Sequence, residues 1–291
     1  MRILILLTAL LLSPSLFAQL SVSIKPSRDQ FISYEPLKVE VSIRNQSGRL
    51  LNLKNTPTNG GWIEFVVRSR SGRTVQSLSK QAYSPTRIAT GQNIKSTFTL
   101  NNTFSLDLPG NYTVYAIVRT ADETIDQGTR SAAAHFTVNR GNVTWRSKVG
   151  VAGASGDQRE YRIIETRSGR NTPPQIYIQV EDVKKVRILA TYPMGSYLSF
   201  RKPLKTLDRK NNLHVLFLAT PKLSRHTVIN TSGKTIKRTY LKSIGNAQPT
   251  LVTQADGAVY VSNAVVYDAE QERKENEKFH NLSEIPGGFE Q

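Results

Sequence analysis

The chain contains no cysteine in 291 residues. That absence removes disulfide frameworks, thiolate zinc sites, cysteine nucleophiles and the acylated cysteine of a lipoprotein together. Histidine is scarce as well. His135, His214, His226 and His280 make no HxH or HxxxH pair, so a histidine metal site needs convergence from distant positions. Past the N-terminus no apolar run approaches the ~20 residues that span a bilayer. Carboxylates are thin where cations are dense: Arg187 to Gly245 holds twelve Lys or Arg and one acid, Asp208.

What is present begins with an address. Arg2 supplies a positive start, Ile3 to Leu12 is apolar apart from Thr8 and Ala9, and Pro14 to Ala18 leads to a small residue before Gln19. This order reads as an export signal cleaved after Ala18, too short to be a membrane anchor. The expected destination is the periplasm or the extracellular space. The formal charge is +17, and the segment from Asp268 onward is net acidic, so the body of the chain is more basic than the whole. Such a field attracts polyanions.

Residues 19–138 carry short alternating segments with turn chemistry between them. Leu20, Val22 and Ile24 share one face; Leu37, Val39, Val41 and Ile43 share another; Asn45-Gln-Ser-Gly48 ends that strand. Trp62 to Arg68, Ile94 to Leu100, Tyr112 to Arg119 and Ala134 to Val138 continue the series. Leu106-Asp-Leu-Pro-Gly-Asn-Tyr112 resembles the tyrosine corner of immunoglobulin-like sandwiches. The segment thus resembles the Ig-like modules of exported bacterial proteins that lack the antibody-type disulfide. The resemblance implies a β-sandwich and no activity.

Residues 139–157 read as a linker, because Gly141, Gly150, Gly153 and Gly156 punctuate small polar residues. Residues 158–267 read as a second antiparallel β domain with blade-like repeats. Tyr161 to Glu165, Gln175 to Val180, Val186 to Thr191 and Tyr197 to Phe200 are its first predicted strands. Leu213 to Leu218 is apolar on both faces and is predicted to be central. Two hairpins follow, around Thr231-Ser-Gly233 and Asp256-Gly257. Pro203 followed by Asn211 to Val215 recurs as Pro249 followed by Asp256 to Val261, a spacing close to one propeller blade, although the domain is too short for a closed propeller. These turn-and-strand signatures resemble the C-terminal β-repeat part of exported Gram-negative proteins, and the resemblance brings no activity with it. Residues 268–291 form a charged tail expected to be disordered.

The search for chemistry yields no catalytic, cofactor or metal constellation. Gly150 to Gly156 spaces as GxxGxxG, without the Lys-Ser/Thr pair of a phosphate loop, and Asp157 stands where a nucleophile elbow needs glycine. Asp122, Glu123 and Asp126 cluster in a loop but match no calcium motif. His214 and His226 flank one hairpin and are the best-placed histidine pair. The sequons at Asn45, Asn101, Asn111, Asn142, Asn230 and Asn281 read as chance in an Asn/Thr-rich β protein. The remaining feature is a basic tract with interleaved aromatics. Arg201, Lys202, Lys205, Arg209, Lys210, Lys222, Arg225, Lys234, Lys237, Arg238 and Lys242 are its candidate polyanion-binding residues.

The expectation is therefore an all-β, non-enzymatic exported binding or scaffold protein that requires no cofactor. Its basic second domain would engage an acidic glycan or lipid headgroups; export disfavours nucleic acid. A protein-interaction subunit of a cell-envelope assembly is the alternative. A hydrolase is the third reading, limited to Asp157, Glu160, Glu165, Glu181, Asp182, Asp208 and Asp256 for its carboxylates.

Overall fold

A computed structural model of the chain describes residues 20–55, 61–79, 81–120, 128–167, 169 and 172–270. The export signal, the acidic loop at Asp122, Glu123 and Asp126, and all but the first residues of the charged tail lie outside these. The described residues are all-β, and among them no helix is long and apolar enough to cross a membrane. The chain divides between Arg140 and Gly141 into two compact units.

The first unit contains β1 (Leu20–Pro26), β2 (Gln30–Ile32), β3 (Lys38–Asn45), β4 (Leu51–Leu53), β5 (Ile63–Ser69), β6 (Thr86–Ile88), β7 (Asn93–Thr99), β8 (Gly110–Val118), β9 (Thr129–Arg130) and β10 (Ala134–Asn139). One sheet runs β1–β3–β7 and the other β2–β10–β8–β5, with β9 pairing β8; β4 and β6 form a ribbon. All these pairings are antiparallel except β2 with β10. Alternation decides the packing: Val39, Val41 and Ile43 of β3 turn inward to meet Val67 of β5 and Val114, Ala116 and Val118 of β8 in one core. At the sheet corner the Tyr112 hydroxyl donates to Leu108 O at 2.7 Å, and its ring stacks on Phe136 at 5.4 Å. This is the corner geometry that the sequence motif implied.

The predicted linker is a correction. Residues 142–157 belong instead to the long hairpin of β11 (Asn142–Val151) and β12 (Ala154–Thr166). Gly153, one of the glycines that suggested flexibility, serves a tight turn: Val151 pairs with Ala154, leaving Ala152 and Gly153 as a two-residue loop, with Gly153 at φ +77°. After β12 come β13 (Gln175–Asp182) and β14 (Arg187–Ser196), completing an antiparallel meander β11–β12–β13–β14. A second meander contains β15 (Leu204–Leu207), β16 (Leu213–Leu218), β17 (Leu223–Ile229) and β18 (Thr235–Ser243). Then follow β19 (Thr250–Thr253), β20 (Val259–Ser262) and β21 (Ala264–Val266), the last pairing β18. The predicted strand at Tyr197–Phe200 is irregular chain leading into β15.

The two meanders face each other across a shared core of Tyr161, Ile163, Ile176, Ile178, Val180, Met194, Leu213, Val215, Phe217 and Ile229. The repeat seen in the sequence corresponds to the hairpins β15–β16 and β19–β20. The second hairpin lies along β15, tied to it by Arg209 N–H to Gly257 O and by the Arg201 guanidinium to Pro249 O. Asn263 then turns the chain so that β21 returns to β18. The β19–β20 ribbon thereby connects the β15 edge to β21 at the other edge of the five-stranded sheet. One register detail matters below: a bulge at Ile236 leaves Thr235 opposite Ile229 on the core face and places Lys237 opposite Val228 on the other. Strict alternation without the bulge would put Thr235 and Lys237 on one face.

Replacing Tyr112 by Phe keeps the stacked ring and removes only the hydroxyl bond. It should lower the stability of the first unit by about 1–2 kcal/mol, measured as a shift in urea midpoint at unchanged slope.

Candidate functional site

Three turns of the second unit lie at one end, and a single buried side chain ties two of them to the opposite meander. Tyr161, fully buried, donates its hydroxyl to Asn211 O at 2.9 Å and lies 3.4 Å from Ile229 O. This brings the turns after β15 and β17 over the end of β13. Gly233, at φ +82°, sits so close to Ala190 that a Cβ there would stand 2.6 Å from the alanine Cβ. The third turn, between β13 and β14, is closed by Asp182, whose Oδ1 accepts the Lys185 N–H at 3.0 Å. That bond and the nearby Arg159 guanidinium hold the Asp182 carboxyl below its usual range.

This end exposes Lys184, Lys185 and Arg187 from one turn, Arg209 and Lys210 from the second, and Lys234 from the third. Its carboxylates are largely occupied. Asp182 and Asp208 face inward, and Asp208 accepts the N–H groups of Lys210 and Asn212 through Oδ1. Asp157 lies 3.6 Å from Lys184, and Asp256 caps Ala258 N–H.

The eleven cations anticipated from sequence do not form one surface. Arg209, Lys210 and Lys234 belong to the end just described. Arg201, Lys202, Lys222 and Lys242 lie at the opposite end, beside the exposed Phe200. Lys205 and Arg238 are exposed on the core-facing side of the sheet, and Lys237 is on the other. Arg225 is a correction: it is 9 % exposed, packed between the meanders with its guanidinium bonded to Met194 O. Its position on β17, opposite Phe217, fixes that inward direction. Lys184, Lys185 and Arg187 were absent from the sequence-derived set, since they lie beyond a hairpin that only the tertiary fold brings alongside.

His214 and His226 do meet. Diagonal neighbours on β16 and β17, they approach to 3.2 Å (Nδ1 to Nε2), and Asp208 Oδ2 lies 3.4 Å from His214 Nε2. Both rings are buried on the face of the sheet opposite the shared core. Burial lowers the pKa of His214, opposed by Asp208 and reinforced by Lys237; burial, His214 and Lys237 together bring His226 down to about 4. Burial pushes Asp208 up, but hydrogen bonds from Asn212, His214 and Lys210 prevail and hold it below the ordinary value. The three groups form a chain rather than a converging set, and among the described residues no three His, Asp or Glu are placed to hold a metal ion.

Three further carboxylates of this unit are engaged in the sheet or beside it. Glu160 and Glu181 are cross-strand partners and both accept from Arg162, which also bonds Gln179. Glu165 accepts the Tyr197 hydroxyl at 2.9 Å. Of the sequons, Asn45 is fully buried with its amide donating to Arg49 O and Ile88 O, and Asn101 accepts Leu37 N–H.

No protein-family model matches the chain, and no curated protein matches it. Among solved structures it is similar to a β-glucosidase from Erythrobacter marinus, at 13 % identity over 41 % of this chain and 15 % of that one, with a TM-score of 0.29. It is also similar to Spo0M, the sporulation control protein of Bacillus subtilis, at 10 % identity over 92 % and 97 % of the two chains, with a TM-score of 0.28. The chain spans only 15 % of the glucosidase's length. At such scores neither likeness informs the chemistry of this chain.

The buried histidines give the second unit an acid-sensitive stability. The unfolded chain binds a proton at His226 near pH 6.5, whereas the folded chain resists until about pH 4. Acidification through that window therefore favours unfolding, by up to about 3 kcal/mol from this residue. Urea melts between pH 7.5 and 4 should show stability falling with pH, and His226→Gln should lose most of that slope.

Proposed function

We propose that the chain is a non-enzymatic exported binding or scaffold protein whose second unit engages an anionic polymer or surface, an acidic glycan or lipid headgroups, through the end formed by its three basic turns. The observation that carries this reading is the gathering of Lys184, Lys185, Arg187, Arg209, Lys210 and Lys234 at one end, where Asp182 and Asp208 turn inward. Exposed cations on closely spaced turns sum their fields and follow a polyanion without needing a rigid complement. The engagement of Glu160, Glu165, Glu181, Asp182 and Asp208 in structural bonds supports a contact function over acid–base chemistry.

Binding to a sulfated polysaccharide column and to vesicles rich in anionic lipid tests the reading. Retention should weaken by about tenfold or more between 50 and 300 mM salt, as the Debye length shrinks. Lys184, Lys185, Arg209, Lys210 and Lys234 all changed to Glu should abolish it. The same change at Arg201, Lys202 and Lys222 should leave most of it. Salt-indifferent retention, or equal loss in both variants, would reject the assignment.

A further inference from the structure

The core holds a cation that the basic end does not use. Arg225 and Thr227 on β17 stand opposite Tyr240 and Arg238 on β18, so four side chains form a square on the core-facing side of the sheet. The inner pair is buried, Arg225 at 9 % and Thr227 at 0 % exposure, while Tyr240 and Arg238 reach solvent. From the facing sheet, Met194 O accepts one guanidinium N–H, and the Tyr192 hydroxyl lies near Arg238 and Thr235. Gly195 admits the close approach: at φ +112°, a Cβ there would stand 3.0 Å from Arg225 Nη1. The guanidinium carbon lies 6.0 Å from the Phe217 ring and 5.8 Å from the Tyr240 ring.

Two features of this square are unbalanced. Arg225 Nε and Thr227 Oγ1 are buried without a hydrogen-bond partner. Among the described residues no carboxylate forms an ion pair with Arg225; after burial, the largest influence on it is the like charge of Arg238, opposed by the Tyr240 hydroxyl. Arginine does not escape by losing its proton, and a buried cation without a counterion is costly. The contrast with Arg162 is direct, since Arg162 has two carboxylates. A water molecule would satisfy the orphaned Nε and hydroxyl but would leave two neighbouring positive charges uncompensated.

We propose that Arg225, Arg238, Thr227 and Tyr240 form a binding site for one small oxyanion, a phosphate or sulfate group, entering between the exposed Arg238 and Tyr240. Arg225 Nε and the Thr227 hydroxyl donate to its oxygens from below, and Arg238 closes on it from the rim. The site is separate from the basic end and does not rest on the polyanion reading.

Thermal unfolding and calorimetric titration of the mature chain in potassium phosphate or sulfate, against potassium chloride at equal ionic strength, test it. The expected result is a saturable rise in unfolding temperature in phosphate and sulfate only, with one anion bound per chain. Arg225→Met should lose the rise and, free of its uncompensated charge, unfold no lower than the parent in chloride. Arg238→Gln, at the exposed rim, should weaken anion binding by about tenfold without a folding defect. Arg209→Glu with Lys210→Glu and Lys234→Glu should keep the rise, separating this site from the basic end. An equal rise with added chloride means a general salt effect only and overturns the site, as does full retention of the rise in Arg225→Met or Arg238→Gln. A sulfated disaccharide that binds more tightly than inorganic sulfate assigns the site to a carried group; equal affinity assigns it to the free ion.

Discussion

The Tyr161 hydroxyl, reaching two backbone carbonyls of the opposite sheet, is the interaction on which the second unit's surface depends. A buried phenol needs a partner for its polar end, and here the partners are Asn211 in the turn before β16 and the last residue of β17. Satisfying one hydroxyl therefore fixes where two turns of one meander lie over the other. The rest follows from strand direction: antiparallel order brings the β13–β14 turn to the same end, and the exposed side chains of all three turns are mostly Lys and Arg. A charge pattern that looks diffuse along the chain becomes local in space through a single apolar-polar side chain.

Much of this was legible in residues with one strong local reason to adopt one conformation. Leu213 to Leu218, apolar on both faces, is a central strand with five of its six residues buried. The turn chemistry at Gly233 and Gly257 gave both hairpins, and Leu106 to Tyr112 gave the corner. The failures share a cause. Residues 139–157 looked like a linker because a two-residue glycine turn and a linker have the same composition; the difference lies in the partner strand, which is a long-range fact. The bulge at Ile236 is a one-residue change of register that no period-two count can foresee. Arg225 was counted as a surface cation because charge favours exposure, whereas position opposite Phe217 on a doubly covered strand decided otherwise.

The treatment of buried charge differs across the two sheets. On the first meander, Arg162, Glu160, Glu181 and Gln179 form a polar ladder in which charges are matched and lone pairs used. On the second, burial disfavours protonation of His214 and His226, and Arg225 has no carboxylate partner among the described residues. A matched ladder is compatible with a fixed sheet that needs nothing from solution. Unmatched groups instead make the second meander responsive to its medium, the histidines to protons and the arginine to anions.

These responses belong to one sheet, and the sheet's two faces separate them. The histidine pair lies on the face away from the shared core, with Asp208 and Lys237 as its charged neighbours. The Arg225 square lies on the face packed against the first meander. Because β17 carries both, with His226 between Arg225 and Thr227 in sequence, protonation on one face and anion occupancy on the other act on the same strand. Lys237 and Arg238 repeat that relation on β18, where consecutive cations point to opposite faces. Protonating His226 adds positive charge one residue from Arg225, and a bound anion offsets charge in that same region. Strand alternation alone thus couples the two sites electrostatically, with no conformational change required.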